Sequence, residues 1–168
     1  AKARTVTNNA AARSTSHPGG GSSEGMVGNG GYLSVADDGA FDIGSRLFQV
    51  RFHLYIETAA ILATDNIIIS KWGSGNDSWF INLNNFGRLT LGRKSSGNYF
   101  FDALSDVLPR DTLMQFTVWR YATSGDINCA RDGTRYTFPV GSSTVFDTSS
   151  SGLIVGAVTA GGAPLPAG

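Results

Sequence analysis

The segment "FQVRFHLYI" places Phe48, Val50, Phe52, Leu54 and Ile56 on one side and Gln49, Arg51, His53 and Tyr55 on the other. That period of two predicts a half-buried β-strand. "NIIISKW" is a continuous apolar run and predicts an interior strand. In "SWFINLNN", Trp79, Ile81 and Leu83 alternate with Phe80, Asn82 and Asn84, and "NNFG" then supplies a turn into "GRLTLG". Further strands are expected at "YFFDAL", "LMQFTVWRY", "INCAR", "RYTFPV" and "GLIVGAV", with Asp132-Gly133 as a short hairpin signal. No window of helical length keeps a 3.6-residue period. Short, closely spaced strands predict an all-β fold, an antiparallel two-sheet jelly-roll sandwich.

Composition sharpens this picture. A chain of 168 residues can form one domain with a sizeable core, and its 22 glycines, with many serines and threonines, favour turns and strands over helices. Thirteen basic and thirteen acidic residues cancel, so no general field draws the protein to nucleic acid or to a membrane surface, and neither partner is expected. No apolar run approaches the ~20 residues that span a bilayer, and the first residues lack the apolar middle of a secretion signal. The single cysteine, Cys129, excludes an internal disulfide framework and reads as a small buried strand residue.

Residues 1–25 differ from the rest. They are polar and aperiodic, carry Lys2, Arg4 and Arg13 against Glu24, and end in the glycine-rich "HPGGGSSEG". The expected organisation is therefore an extended N-terminal attachment arm over 1–25 and a sandwich over 26–168. Ordering such an arm costs about 1–2 kcal/mol per residue in backbone entropy, so contacts to a partner subunit through Lys2, Arg4 and Arg13 are expected to hold it.

Taken in order, "GGYLSVADDGAFDIGSRLFQVRFHLYI", "IIISKWGSGNDSWFINLNNFGRLTLG", "FTVWRYATSGDINCARDGTRY" and "SGLIVGA" resemble a concanavalin A-like, laminin G-like jelly roll. More narrowly, they are similar to the versions of that domain in virion proteins of tailed bacteriophages. The resemblance covers Tyr32 to about Ala157 and rests on strand and turn chemistry. It departs at the C-terminus, where one further strand is normal but the chain reads "VTAGGAPLPAG". An unpaired edge invites another strand, so the arm or a neighbouring subunit is expected to complete the sheet. Calcium enters by the resemblance alone, since loops of such domains bind it through aspartates and carbonyls. Asp37, Asp38, Asp77 and Asp126 are the loop candidates, and each also suits an ordinary turn.

Catalytic patterns are weak. Glycosidases of this fold use paired carboxylates on alternating strand positions, but Glu57 stands alone and Glu24 lies in the arm. Asp102 and Asp106 are four apart and could share a strand face, but "FDALSDVLPRD" also reads as a solvated loop. His53 falls on a polar strand face, no "GxSxG" elbow accompanies it, and no histidine or cysteine spacing suits zinc. No catalytic residue, metal ligand or resident cofactor is therefore expected.

Two non-enzymatic functions remain. The first is a structural subunit of a phage virion, a capsid decoration or minor protein anchored to capsid or tail subunits by the arm and homo-oligomeric. The alternative is a lectin-like module that binds glycans. Trp72 stands beside the "GSGND" turn, where Asn76 and Asp77 offer polar contacts, and Tyr99 follows in the next hairpin. Trp72, Asn76, Asp77 and Tyr99 are the candidate glycan-binding residues, whereas Trp79 is expected in the core.

Overall fold

The alternation of residues 48–56 becomes a strand because each second side chain can then leave water together. Phe48, Val50, Phe52 and Leu54 pack on the core while Gln49, Arg51 and His53 stay exposed. In a computed structural model of the chain, the described residues are 4–9, 12–14, 25–27, 32–44, 46–58, 65–73, 78–120, 127–136 and 146–156. They form β1 (Val6–Asn9), β2 (Ala12–Ser14), β3 (Gly25–Val27), β4 (Tyr32–Val35), β5 (Phe48–Leu54), β6 (Asp65–Lys71) and β7 (Trp79–Asn84). Then follow β8 (Arg88–Ser95), β9 (Asn98–Val107), β10 (Met114–Arg120), β11 (Ile127–Arg131), β12 (Thr134–Tyr136) and β13 (Leu153–Val155). Helical structure among these residues is limited to a 3₁₀ turn at Gly39–Phe41, where the Asp38 carboxylate accepts from the Ala40 N–H.

The architecture is the expected antiparallel sandwich. Among the described residues, one sheet has the order β1-β4-β13-β6-β7-β8-β9 and the other β12-β11-β10-β5, while β2 and β3 pair only with each other. Between the two large sheets lie Trp79, Ile81, Leu83, Leu89, Leu91 and Leu104 from one side and Met114, Phe116, Val118, Ile127 and Cys129 from the other. Burial of each such side chain stabilises the fold by about 1.5–3 kcal/mol. The turns follow local chemistry. Asp132 (φ 50°) and Gly133 (φ 81°) make the two-residue hairpin between β11 and β12, and Ser96 (φ 51°) and Gly97 (φ 79°) make the one between β8 and β9.

The strand expected to border an open edge, β13, lies in the interior of its sheet. β13 lies between β4 and β6, and Val6–Asn9 of the arm pairs antiparallel with β4, with Val6 opposite Val35 and Asn9 opposite Tyr32. The arm thus adds a strand beyond β4 among the described residues, while the residues after Gly156 lie outside them. Arg4 at its base pairs with Asp38 at 3.1 Å and lies 4.9 Å over the Phe41 ring. Lys2 is outside the described residues, and of Arg13 only its backbone, in β2, is described.

"FDALSD" is strand rather than loop, because β9 runs on to Val107. A bulge interrupts it: Thr90 pairs with Ala103 but Arg88 with Val107, and the Ser105 hydroxyl takes the Leu89 N–H at 2.9 Å. This bulge breaks the alternation that would have set Asp102 and Asp106 on one face. Asp102 instead pairs with the buried Arg93 at 3.1 Å, and Asp106 is exposed.

Candidate functional site

A second apolar cluster lies on the face of the seven-stranded sheet that points away from the main core. Strand alternation sends Trp79, Ile81 and Leu83 inward, so Phe80 points outward, yet it is fully buried, packed with Trp72 and Ile67. The reason is aromatic packing. Trp72 meets Phe80 edge-on with ring centroids 5.0 Å apart, Phe80 lies 6.1 Å from Phe101, and Trp72 lies 5.8 Å from Tyr99. The result is one group of four rings, two buried and two in contact with water: Tyr99 is 45% and Phe101 51% exposed.

Strand register explains how the rings meet. Gly92 of β8 sits opposite Phe80 of β7 and also opposite Phe101 of β9. A methyl group at 92 would fall 2.0 Å from the Phe80 ring, so the absent side chain is the space into which that ring leans. Phe80 and Phe101 thus approach each other across a glycine, though their strands are not neighbours.

Tyr99 belongs to the row next to it. It faces Lys94 across β8 and β9, and the Lys94 ammonium lies 5.5 Å from its ring centroid. The turn beneath is braced by Asp147, whose carboxylate accepts the Ser96 and Gly97 N–H groups at 2.9 and 3.1 Å. The Asp147 N–H donates to Lys94 O at 2.9 Å, and Lys94 N–H to Ser78 O at 2.7 Å. The exposed rings therefore stand on backbone held from several sides.

Below Trp72, a buried ammonium closes the end of β6. Lys71 is fully buried, and its Nζ contacts Asp37 Oδ1 at 2.7 Å, Asp42 Oδ1 at 3.1 Å and the carbonyls of Ser149 and, at 3.0 Å, Ser151. Two stretches of chain, 37–42 and 149–151, converge on one charge, which satisfies the rule that buried ions need partners. The close approach also requires Gly73, since a methyl there would meet the Ser151 hydroxyl at 1.7 Å. Of the calcium candidates, Asp37 is engaged by Lys71 and Asp38 by Arg4, while Asp77 and Asp126 lie outside the described residues. Among the described residues, no group of three or more His, Cys, Asp or Glu side chains is placed to hold a metal.

Two other cations are buried at this end of the sandwich. Arg93 stacks 4.5 Å over Phe100, and Arg120 lies 5.1 Å over Phe146 while donating to the carbonyls of Gly44 and Arg46, both at 2.6 Å. Burial, and then the nearby Arg93, push the Arg120 guanidinium below its ordinary pKa. Burial pushes the Cys129 thiol up to about 12, so it carries no thiolate near neutral pH.

Of the glycan candidates read from the sequence, the structure brings Trp72 and Tyr99 together. Trp72 is only 4% exposed, so it backs the surface rather than forming it. Asn76 and Asp77 lie outside the described residues. Phe80, Gly92 and Phe101 were not singled out; the signal for them was the aromatic on the polar side of "SWFINLNN" and the alternation of Tyr99 and Phe101 in "NYFF". His53 is exposed on β5, opposite Gln115, with no acid partner on it among the described contacts. A hollow of about 100 Å³ opens at the far end of β8 and β9, beside the exposed Phe86 and Val107.

No protein-family model and no curated protein matches the chain. Among solved structures it is similar to a chain from a study of botulinum neurotoxin type C, whose cell entry is described as dependent upon interaction with two ganglioside molecules. The TM-score is 0.60 at 13% sequence identity, over 90% of this chain and 37% of that one. This chain thus spans little more than a third of its neighbour's length, and at that identity the likeness is one of fold: an all-β domain of antiparallel sheets.

Proposed function

We propose that this protein is a non-enzymatic glycan-binding module whose binding surface is the aromatic group on the outward face of its larger sheet. One observation carries the reading: two half-exposed rings, Tyr99 and Phe101, are backed by the buried Trp72 and Phe80. Sugar rings present apolar C–H faces that lose water against an aromatic surface, while their hydroxyls need polar neighbours. Tyr99 has its phenol, and the Lys94 ammonium stands over its ring. Rings already packed lose little freedom on binding, so less of the contact energy is offset. The ganglioside dependence described for the structural neighbour is in keeping with this reading.

The test is a titration with a panel of glycans, followed by tryptophan fluorescence. Trp72 touches Tyr99 and should report contact, and Trp72→Phe separates its signal from those of Trp79 and Trp119. Binding abolished by the pair Tyr99→Ala and Phe101→Ala supports the assignment; binding that survives both removes it.

A place on a bacteriophage virion is the second reading. What favours it is that β2 and β3 form, among the described residues, a two-stranded ribbon of their own, apart from the two large sheets. Such a ribbon suits attachment to a capsid or tail subunit, with Lys2 and Arg13 among the contacts and with several copies adding their weak contacts. Co-sedimentation with undecorated capsids tests it, and a protein that stays in the supernatant sinks it.

A further inference from the structure

We infer that the aromatic surface takes an internal stretch of an extended, linear glycan chain rather than a single terminal sugar; the inference rests on the glycan-binding reading above. Tyr99 and Phe101 are two residues apart on one strand, and their rows are those of Lys94 and Gly92 on β8. Side chains at positions i and i+2 of a strand share a face and are separated by roughly 6.7 Å along it. That spacing is comparable to the advance per sugar in an extended chain. The two rings therefore present adjacent stacking positions in a line, where a terminal sugar would cover only one.

The setting of the rings agrees with this. β9 is the last strand of its sheet among the described residues, so the line of rings runs along the sheet's margin. Both rings are about half exposed, whereas a pocket that encloses a chain end buries most of its ligand's surface. Beneath them, the lean of Phe80 over Gly92 and the contact of Trp72 with Tyr99 keep the rings in fixed relation. Two fixed stacking positions reward a ligand that can meet both at once, which is the arithmetic of effective concentration applied within one site.

The experiment is a chain-length series. Gluco-, xylo- and N-acetylglucosamine oligosaccharides of one to six units are titrated against the full-length protein by calorimetry, alongside the corresponding polysaccharides. For whichever sugar binds, the affinity should rise roughly five- to tenfold between one unit and the length that spans both rings, the gain expected from covering the exposed half of a second aromatic ring. It should then level off. Phe101→Ala should abolish that rise, so that affinity no longer changes between one unit and six, and Phe101→Tyr should restore it. Binding that is equal for one unit and six, or a rise that persists in Phe101→Ala, overturns the inference and leaves the glycan reading standing. An absence of binding across all lengths and sugars overturns both.

Discussion

Gly92→Ala is a small change with a calculable consequence. The added methyl would lie 2.0, 2.2 and 2.6 Å from Cζ, Cε1 and Cε2 of Phe80. Unstrained carbon contacts begin near 3.5 Å, so the ring must move by about 1.5 Å. It has no vacant direction: Phe80 is fully buried, with Trp72 5.0 Å and Phe101 6.1 Å away. Overpacking of this kind costs about 1–3 kcal/mol, while replacing a strand glycine by alanine otherwise gains about 0.5–1 kcal/mol. The net expectation is a loss of about 1–2 kcal/mol, or a Tm lower by about 2–4 °C for each kcal/mol in a protein of this size. Urea unfolding of four proteins tests it: wild type, Gly92→Ala, Phe80→Leu and the double variant. With the ring shortened, alanine at 92 should become neutral or stabilising, giving a coupling of at least about 1 kcal/mol. Gly92→Ala as stable as wild type, or equally costly in both backgrounds, would refute the packing argument.

The remaining predictions concern other parts of the molecule. Lys71→Met leaves the carboxylates of Asp37 and Asp42 facing two carbonyls with no cation. It should cost about 3 kcal/mol in thermal unfolding, the low end for a broken buried pair because both aspartates retain contact with water. Cys129, with its thiol raised to about 12, should resist iodoacetamide in the native protein at pH 8 and react once the protein is unfolded, as mass spectrometry can show. Asp111 accepts hydrogen bonds from the Thr58 hydroxyl and N–H, which hold its carboxyl below the ordinary aspartate value. Because its folded pKa is depressed, the stability it contributes is present above the unfolded value of about 3.9 and is lost as pH falls through the folded one. Amide exchange at Thr58 should therefore rise in that acid range, and in Asp111→Asn it should be raised already at neutral pH.

Much of the sandwich was legible because its strands obey simple periodicity. Residues 48–54 alternate without exception, and β7 sorts its side chains between faces as "SWFINLNN" indicates. The proximity of Trp72 and Tyr99 was also accessible, since both border hairpins of one sheet. What escaped is non-local. Nothing adjacent to Phe80 in sequence says that an outward aromatic is buried; that depends on Gly92 twelve residues later and on a register shared by three strands. Lys71 at the end of an apolar run hints at a buried cation, but its partners come from residues 37–42 and 149–151. The bulge in β9 was invisible because a hydroxyl, Ser105, substitutes for a ladder hydrogen bond there. Turns were easier to read than bulges, since "DG" requires only local positive φ.

The most direct test of the account is whether the exposed rings, and nothing else on the surface, carry glycan binding. Wild type and the double variant Tyr99→Ala/Phe101→Ala, matched for Tm, would be applied to a glycan array and any ligand found titrated in solution. The account predicts saturable binding by wild type and none by the double variant. Wild type that binds nothing, or a double variant that binds as well as wild type, would contradict it.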